Sequence, residues 1–165
     1  MSYSAFRASF FVAFGVTLAL AVYSVWLWQP ARQIRSHNAH FLQAVESRDW
    51  SRVDALVAAN YEDQWGDDKK LLVQRLREVS RYVREFKISP AEPSISVIND
   101  DADWSAKITI ETDGGEIASA MKERLNAVAT PFRFHWHRES WKPWDWKLVR
   151  VANPALQLPE AAEQF

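Results

Sequence analysis

The chain contains no cysteine. That excludes disulfide scaffolds, thiolate nucleophiles and cysteine-ligated zinc or iron–sulfur centres. Glycine is scarce, at four residues in 165, and no Gly-rich phosphate loop, nucleophile elbow or zinc-binding helix motif is present. An excess of positive charge is also missing. Twenty Lys and Arg stand against 21 Asp and Glu, which is no nucleic-acid footprint. Aromatic residues, by contrast, are abundant: nine Trp, nine Phe and four Tyr. Such a composition belongs to a packed domain rather than a disordered chain.

Charge is absent altogether from Ser9 to Trp28, twenty consecutive positions reading SFFVAFGVTLALAVYSVWLW. A helix of that length spans about 30 Å, the thickness of a bilayer's hydrocarbon core. A cleavable signal peptide would have a shorter apolar core and a small-x-small site. Ala19-Leu20-Ala21 offers such a site, but the apolar run continues past it through Tyr23, Trp26 and Trp28. Those rings suit the interfacial belt of a retained anchor, with Phe10, Phe11, Phe14, Leu18 and Leu20 facing lipid. The expectation is a leader over residues 1–8, a transmembrane helix over 9–29, one domain over 30–154 and a loose tail over 155–165. The flanking Arg32 and Arg35 outnumber Arg7, which favours a cytoplasmic domain by the positive-inside count. The very short leader reads instead as a signal-anchor that sends the domain outward. The second orientation is the expectation: a single-pass protein of a bacterial inner membrane with a periplasmic domain.

The 136 residues from Pro30 onward suffice for one domain. Apolar residues Ile34, Phe41, Leu42 and Val45 share one helical face. Ser47-Arg48-Asp49 supplies capping residues for a second helix, in which Trp50, Val53, Leu56, Val57 and Tyr61 align. After Gly66-Asp67-Asp68, the alternating four- and three-residue steps of Leu72, Leu76, Val79, Val83 and Phe86 predict a third helix. Its opposite face carries Arg77, Arg81 and Arg84, either a solvated surface or a contact for an anionic partner. Pro90 and Pro93 then end the helical region, and strands follow at Ser94–Ile98 and Trp104–Thr112. Glu116–Ala129 has helical spacing in Ile117, Met121, Leu125 and Val128. Pro131–Glu139 alternates strictly, with Phe132, Phe134 and Trp136 on one face and Arg133, His135, His137 and Glu139 on the other. A last strand covers Trp146–Val151. Segregated helices and an antiparallel sheet of about four strands define an α+β class. A bent sheet would bury Phe132, Phe134 and Trp136 against Leu72, Leu76, Val79 and Val83.

The segment Phe41–Tyr61 (FLQAVESRDWSRVDALVAANY) and the closing Trp146–Pro154 (WKLVRVANP) resemble the nuclear-transport-factor-2-like (SnoaL-like, cone-shaped) superfamily. The resemblance implies an α+β cone with a pocket between sheet and helices, and often a dimer through the sheet. It implies no single activity, because the scaffold serves isomerases, dehydratases, cyclases, transport factors and tethered assembly proteins alike. The plan of the whole chain is similar to that of inner-membrane assembly subunits of type IV secretion systems.

Chemistry has few candidates. His135 and His137 project from one strand face and could share a metal with Glu139, although exposed polar alternation explains them as well. His37 and His40 lie three apart on a helix surface. An acid–base pocket of the ketosteroid-isomerase kind would draw on Tyr61, Glu62, Asp63 and Tyr82, with Trp50 and Trp65 as an apolar wall. Trp141 and Trp144 flank Pro143 at a hairpin tip, where the indoles either dock a partner protein or a bilayer surface or fold back on the domain. Nothing calls for a cofactor. The expectation is a non-catalytic accessory subunit of a larger membrane complex. The alternative is a tethered small-ligand binder or an isomerase- or dehydratase-like enzyme using the cone pocket.

Overall fold

The computed structural model describes residues 13–20, 23 and 28–156. Residues 13–20 are helical and exposed. Among the described residues, no helix is long and apolar enough to cross a membrane. Much of the expected span, including Phe10, Phe11 and Trp26, lies outside the described residues; Phe14, Leu18, Leu20, Tyr23 and Trp28 are each more than half exposed.

The domain begins with helix α1, Pro30–Glu46, where proline occupies a first-turn position that needs no N–H. Its buried face is Ile34, Asn38, Phe41, Leu42, Ala44 and Val45, the predicted stripe with two small or polar additions. The Asp49 side chain accepts from the Arg52 N–H and starts α2, Trp50–Leu56. This helix is shorter than its apolar spacing predicts. Val57 is already extended and bridges Leu148, and the N–H groups of Ala58, Glu62 and Gln64 donate to the carbonyls of Leu148, Val149 and Val151. Pairing with the last strand thus ends the helix before Tyr61.

Helix α3, Lys69–Ser80, is capped by Asp68 accepting from the Leu71 N–H. The apolar rhythm predicts helix through Phe86, but strand β1 runs from Val83 to Ile98. Pairing with a later strand at Gly114, Thr112 and Ile110 accounts for the switch, and two residues of the preceding helical region support it. The Arg48 guanidinium donates to the carbonyls of Val83 and Arg84, and the Glu46 carboxylate accepts from the Ile88 N–H at 2.6 Å. Pro90 and Pro93 therefore lie inside a strand. They are tolerated because β1 is an edge strand and because its register shifts between Ala91 and Ser94.

The remaining elements are β2 (Asp101–Gly114), α4 (Glu116–Asn126), β3 (Phe132–Arg138) and β4 (Trp146–Ala152). The four strands form one antiparallel sheet in the order β1-β2-β3-β4. The α+β class holds, and the helical spacing of Glu116–Ala129 is realised as α4. Phe134 and Trp136 are buried as expected, while Phe132 is half-buried. Their ring partner is Phe41 of α1, in edge-to-face contacts at 6.1 and 6.4 Å, rather than the leucines of α3. Trp136, Trp146, Ile34, Leu148 and Val53 form the sealed centre of the core. Asn153, fully buried, closes the end of the sheet. Its backbone exchanges hydrogen bonds with the Gln64 side chain, and its own amide bonds Thr130.

Candidate functional site

The core does not fill the concave side of the sheet completely. A cavity of about 250 Å³ lies between the sheet and the helices. Phe41, Leu42 and Val45 form its wall from the C-terminal third of α1, and Leu72, Leu76 and Val79 form the wall from α3. The sheet contributes Ile88, Ile108, Ile110, Phe132, Phe134 and Val151. So the α3 leucines and the β3 phenylalanines, expected to touch, face one another across open space.

The last wall comes from α4, through Met121 and Leu125. Strand β3 pairs with β2 only from Asp101 to Ala106, which leaves the later part of β2 without a strand on that side. Asn126 takes the missing strand's place. Its side-chain oxygen accepts from the Ile110 N–H at 2.8 Å and its amide donates to the Ile110 carbonyl at 3.0 Å. At the other end of α4, Ala118 is fully buried against Gly114. A side chain on Gly114 would place its Cβ 2.7 Å from the Ala118 Cβ, so glycine here permits the close approach that holds the wall.

Chemically the cavity is plain. Ser80 and Thr112 are the polar members of its lining, and among the described residues no carboxylate, imidazole, phenol or cation contributes to it. Ser80 directs its hydroxyl to the Arg77 carbonyl, and the Thr112 hydroxyl reaches the Ala118 carbonyl, so both are occupied with backbone. Trp50 and Trp65, expected as an apolar wall, do line the cavity.

The proposed acid–base residues lie elsewhere. Tyr61 is buried, and among the described residues no group meets hydrogen-bond geometry with its hydroxyl, although the Asp63 carboxylate and the Val151 backbone lie close to it. Burial above all, and then the nearby Asp63 and Asp67 carboxylates, push its phenol well above the ordinary tyrosine range. Asp63 is buried too, but its carboxylate is committed to the turn, accepting from the N–H groups of Trp65 at 2.8 Å and Asp67 at 2.9 Å. Burial, together with Asp63, raises the Asp67 carboxyl, and Arg75 partly offsets this. Glu62 is exposed, and Tyr82 is more than half exposed on the segment leading into β1. Tyr61 and Asp63 are thus neighbours in one turn, with neither in the cavity lining.

His135 and His137 find carboxylates on β2 rather than Glu139. His135 Nδ1 lies 3.0 Å from Asp103 Oδ1, and His137 Nδ1 lies 2.8 Å from Asp101 Oδ1. Among the described residues, no group of three or more His, Asp or Glu is arranged to hold a metal ion. His40 is exposed, whereas His37 is half-buried and bonded through Nε2 to the Trp144 carbonyl at 2.9 Å. Arg77 and Arg81 line a polar surface cleft together with Lys69, Lys70, Asp54, Asp68 and Glu78. The cleft carries both signs of charge, and Arg84 stands apart from it on β1. Trp141 is 85% exposed and Trp144 56% exposed, while Trp146 is buried with its indole donating to the Pro143 carbonyl.

The cavity's dependence on α4 is not legible in the amino-acid sequence. The apolar stripe of Met121 and Leu125 was visible, but Asn126 gave no sign that it would stand in for a strand.

No protein-family model and no curated protein sequence matches the chain. Solved structures do. An NTF2-like protein of unknown function from Pseudomonas putida superposes with a TM-score of 0.54 at 14% identity, covering 73% of this chain and 82% of that one. A suggested dehydratase of the NTF2-like family from Streptomyces avermitilis gives 0.56 at 14% identity, with 74% and 93% covered. Bd1075 of Bdellovibrio bacteriovorus gives 0.56 at 16% identity; 73% of this chain matches 39% of that longer one. At these identities the likeness establishes the fold, which is NTF2-like.

Proposed function

We propose that this domain binds an apolar small molecule in its cone cavity and is tethered to a membrane by the segment preceding Pro30. The observation that carries the binding role is the lining: among the described residues it comprises twenty, of which Ser80 and Thr112 alone are polar, around about 250 Å³. At about 30 Å³ per water-sized group, that space suits a ring system or a chain of roughly eight to ten carbons. Apolar burial is the source of affinity in such a site, at about 25 cal/mol per Å². A cavity of this kind favours ligand binding over the accessory-subunit role expected first from the sequence.

A dehydratase-type activity, as suggested for the Streptomyces avermitilis structure, would need an acid or base within reach of the substrate. Among the described residues the lining offers none. The tether rests on the uncharged run from Ser9 to Trp28 and its terminal Tyr and Trp residues.

Organic extraction of the purified full-length chain, followed by mass spectrometry, tests the binding role. An apolar molecule near one equivalent is expected, and it should be lost from a Met121→Trp variant whose indole occupies the space. If neither a co-purifying molecule nor saturable binding of a neutral naphthylamine probe is found, the ligand-binding role is wrong.

A further inference from the structure

The β3–β4 hairpin ends in Ser140-Trp-Lys-Pro-Trp-Asp145, and two of its indoles face solvent. This tip is fixed in place by the bond from His37 Nε2 to the Trp144 carbonyl. His37 lies seven residues into α1, so the bond holds the tip about 10 Å along the helix axis from Pro30. Pro30 is where the chain arrives from the uncharged segment ending at Trp28, itself 56% exposed. Trp28 and the tip that carries the exposed Trp141 and Trp144 therefore both lie toward the N-terminal half of α1. Lys142 lies between the latter two, and among the described residues its ammonium makes no ion pair.

We infer that the Trp141–Trp144 tip inserts its indoles into the headgroup region of the bilayer that holds the N-terminal segment, with Lys142 paired to anionic lipid. The inference rests on the tether proposed above and adds a second point of attachment to it. Tryptophan is favoured at that depth because the ring is apolar and the N–H stays hydrated. A lysine near the surface adds attraction to anionic lipid. The buried core beneath the tip does not depend on the two rings, since Trp146 and Trp136 fill it. Two attachments also fix the domain's orientation, which a single point of attachment cannot do.

The absence of cysteine makes the test direct. Full-length Lys142→Cys and Ser119→Cys, the second on exposed α4, are labelled with an environment-sensitive fluorophore. They are reconstituted in phosphatidylcholine–phosphatidylglycerol vesicles carrying a headgroup-region nitroxide lipid. Quenching at position 142 should exceed that at 119 at least about twofold, with a blue-shifted emission. Adding Trp141→Ser and Trp144→Ser should return quenching at 142 to the level at 119. Carbonate extraction separates the two proposals. Protein left in the supernatant sinks the tether and this inference together. Protein retained in the membrane with equal quenching at both positions sinks the inference alone. A blue shift at 142 without quenching means that a protein surface covers the tip, and it likewise overturns the bilayer contact.

Discussion

Arg75 holds the buried carboxylate of Asp67 at an Nε–Oδ2 distance of 3.0 Å. The pair stitches α3 to the turn that follows Tyr61, the same turn in which Asp63 is spent on backbone N–H groups.

Removing the cation leaves a charge in an apolar setting. Arg75→Ala should destabilise the domain by about 2 kcal/mol, less than for a sealed pair because Arg75 retains 35% of its side-chain surface in water. The pH response fixes the sign. Asp67 has its folded-state value raised, so the folded chain holds a proton that the unfolded chain has released. Stability from this group falls as pH rises from the ordinary carboxylate value through the raised one. Without Arg75 the raised value moves higher still. Urea titrations at several pH values should show the variant recovering stability relative to wild type as pH is lowered below neutrality.

Tyr61 gives the opposite mutational outcome. Among the described residues no group meets hydrogen-bond geometry with its buried hydroxyl, so Tyr61→Phe should be neutral or stabilising by up to about 1 kcal/mol. The unfolded chain releases the phenolic proton near pH 10 while the folded chain keeps it, because burial and the adjacent carboxylates raise its value. Wild type should therefore lose stability above about pH 10, and the phenylalanine variant should lose less. Thermal unfolding followed by circular dichroism in alkaline buffers checks both points.

Gly114→Ala tests the wall of the cavity. The new methyl would meet the Ala118 Cβ at 2.7 Å and the Tyr82 carbonyl at 3.1 Å, and neither can rotate away. A loss of about 1–3 kcal/mol is expected. It should be local. Amide exchange should quicken through α4 and around Ile110, and probe binding should weaken, while the β3–β4 amides stay protected.

How much of this was legible in the sequence depends on the range of the interaction concerned. The alternation of Phe132, Phe134 and Trp136, the Asp49 cap and the stripe of α4 are local patterns, and each is realised. The helix-to-strand change after Ser80 is not local. Val83 and Phe86 continue a helical rhythm, and partners far away in sequence, the strand β2 together with Arg48 and Glu46, draw that backbone into the sheet. The site divides the same way. Trp50 and Trp65 were recognisable as wall material. The fate of Asp63 was not, because a carboxylate closing its own turn and one awaiting a proton look alike until the chain is folded.

The chamber occupies the far third of α1, at Phe41, Leu42 and Val45, whereas the chain enters the helix at Pro30. At ~1.5 Å per residue the two are separated by roughly 20 Å. The Trp141–Trp144 tip, bonded to the same helix at His37, lies only about 6 Å along it from Phe41. A domain moored at both points would hold the chamber just outside the headgroups, where an apolar molecule leaving the leaflet meets it after a short step.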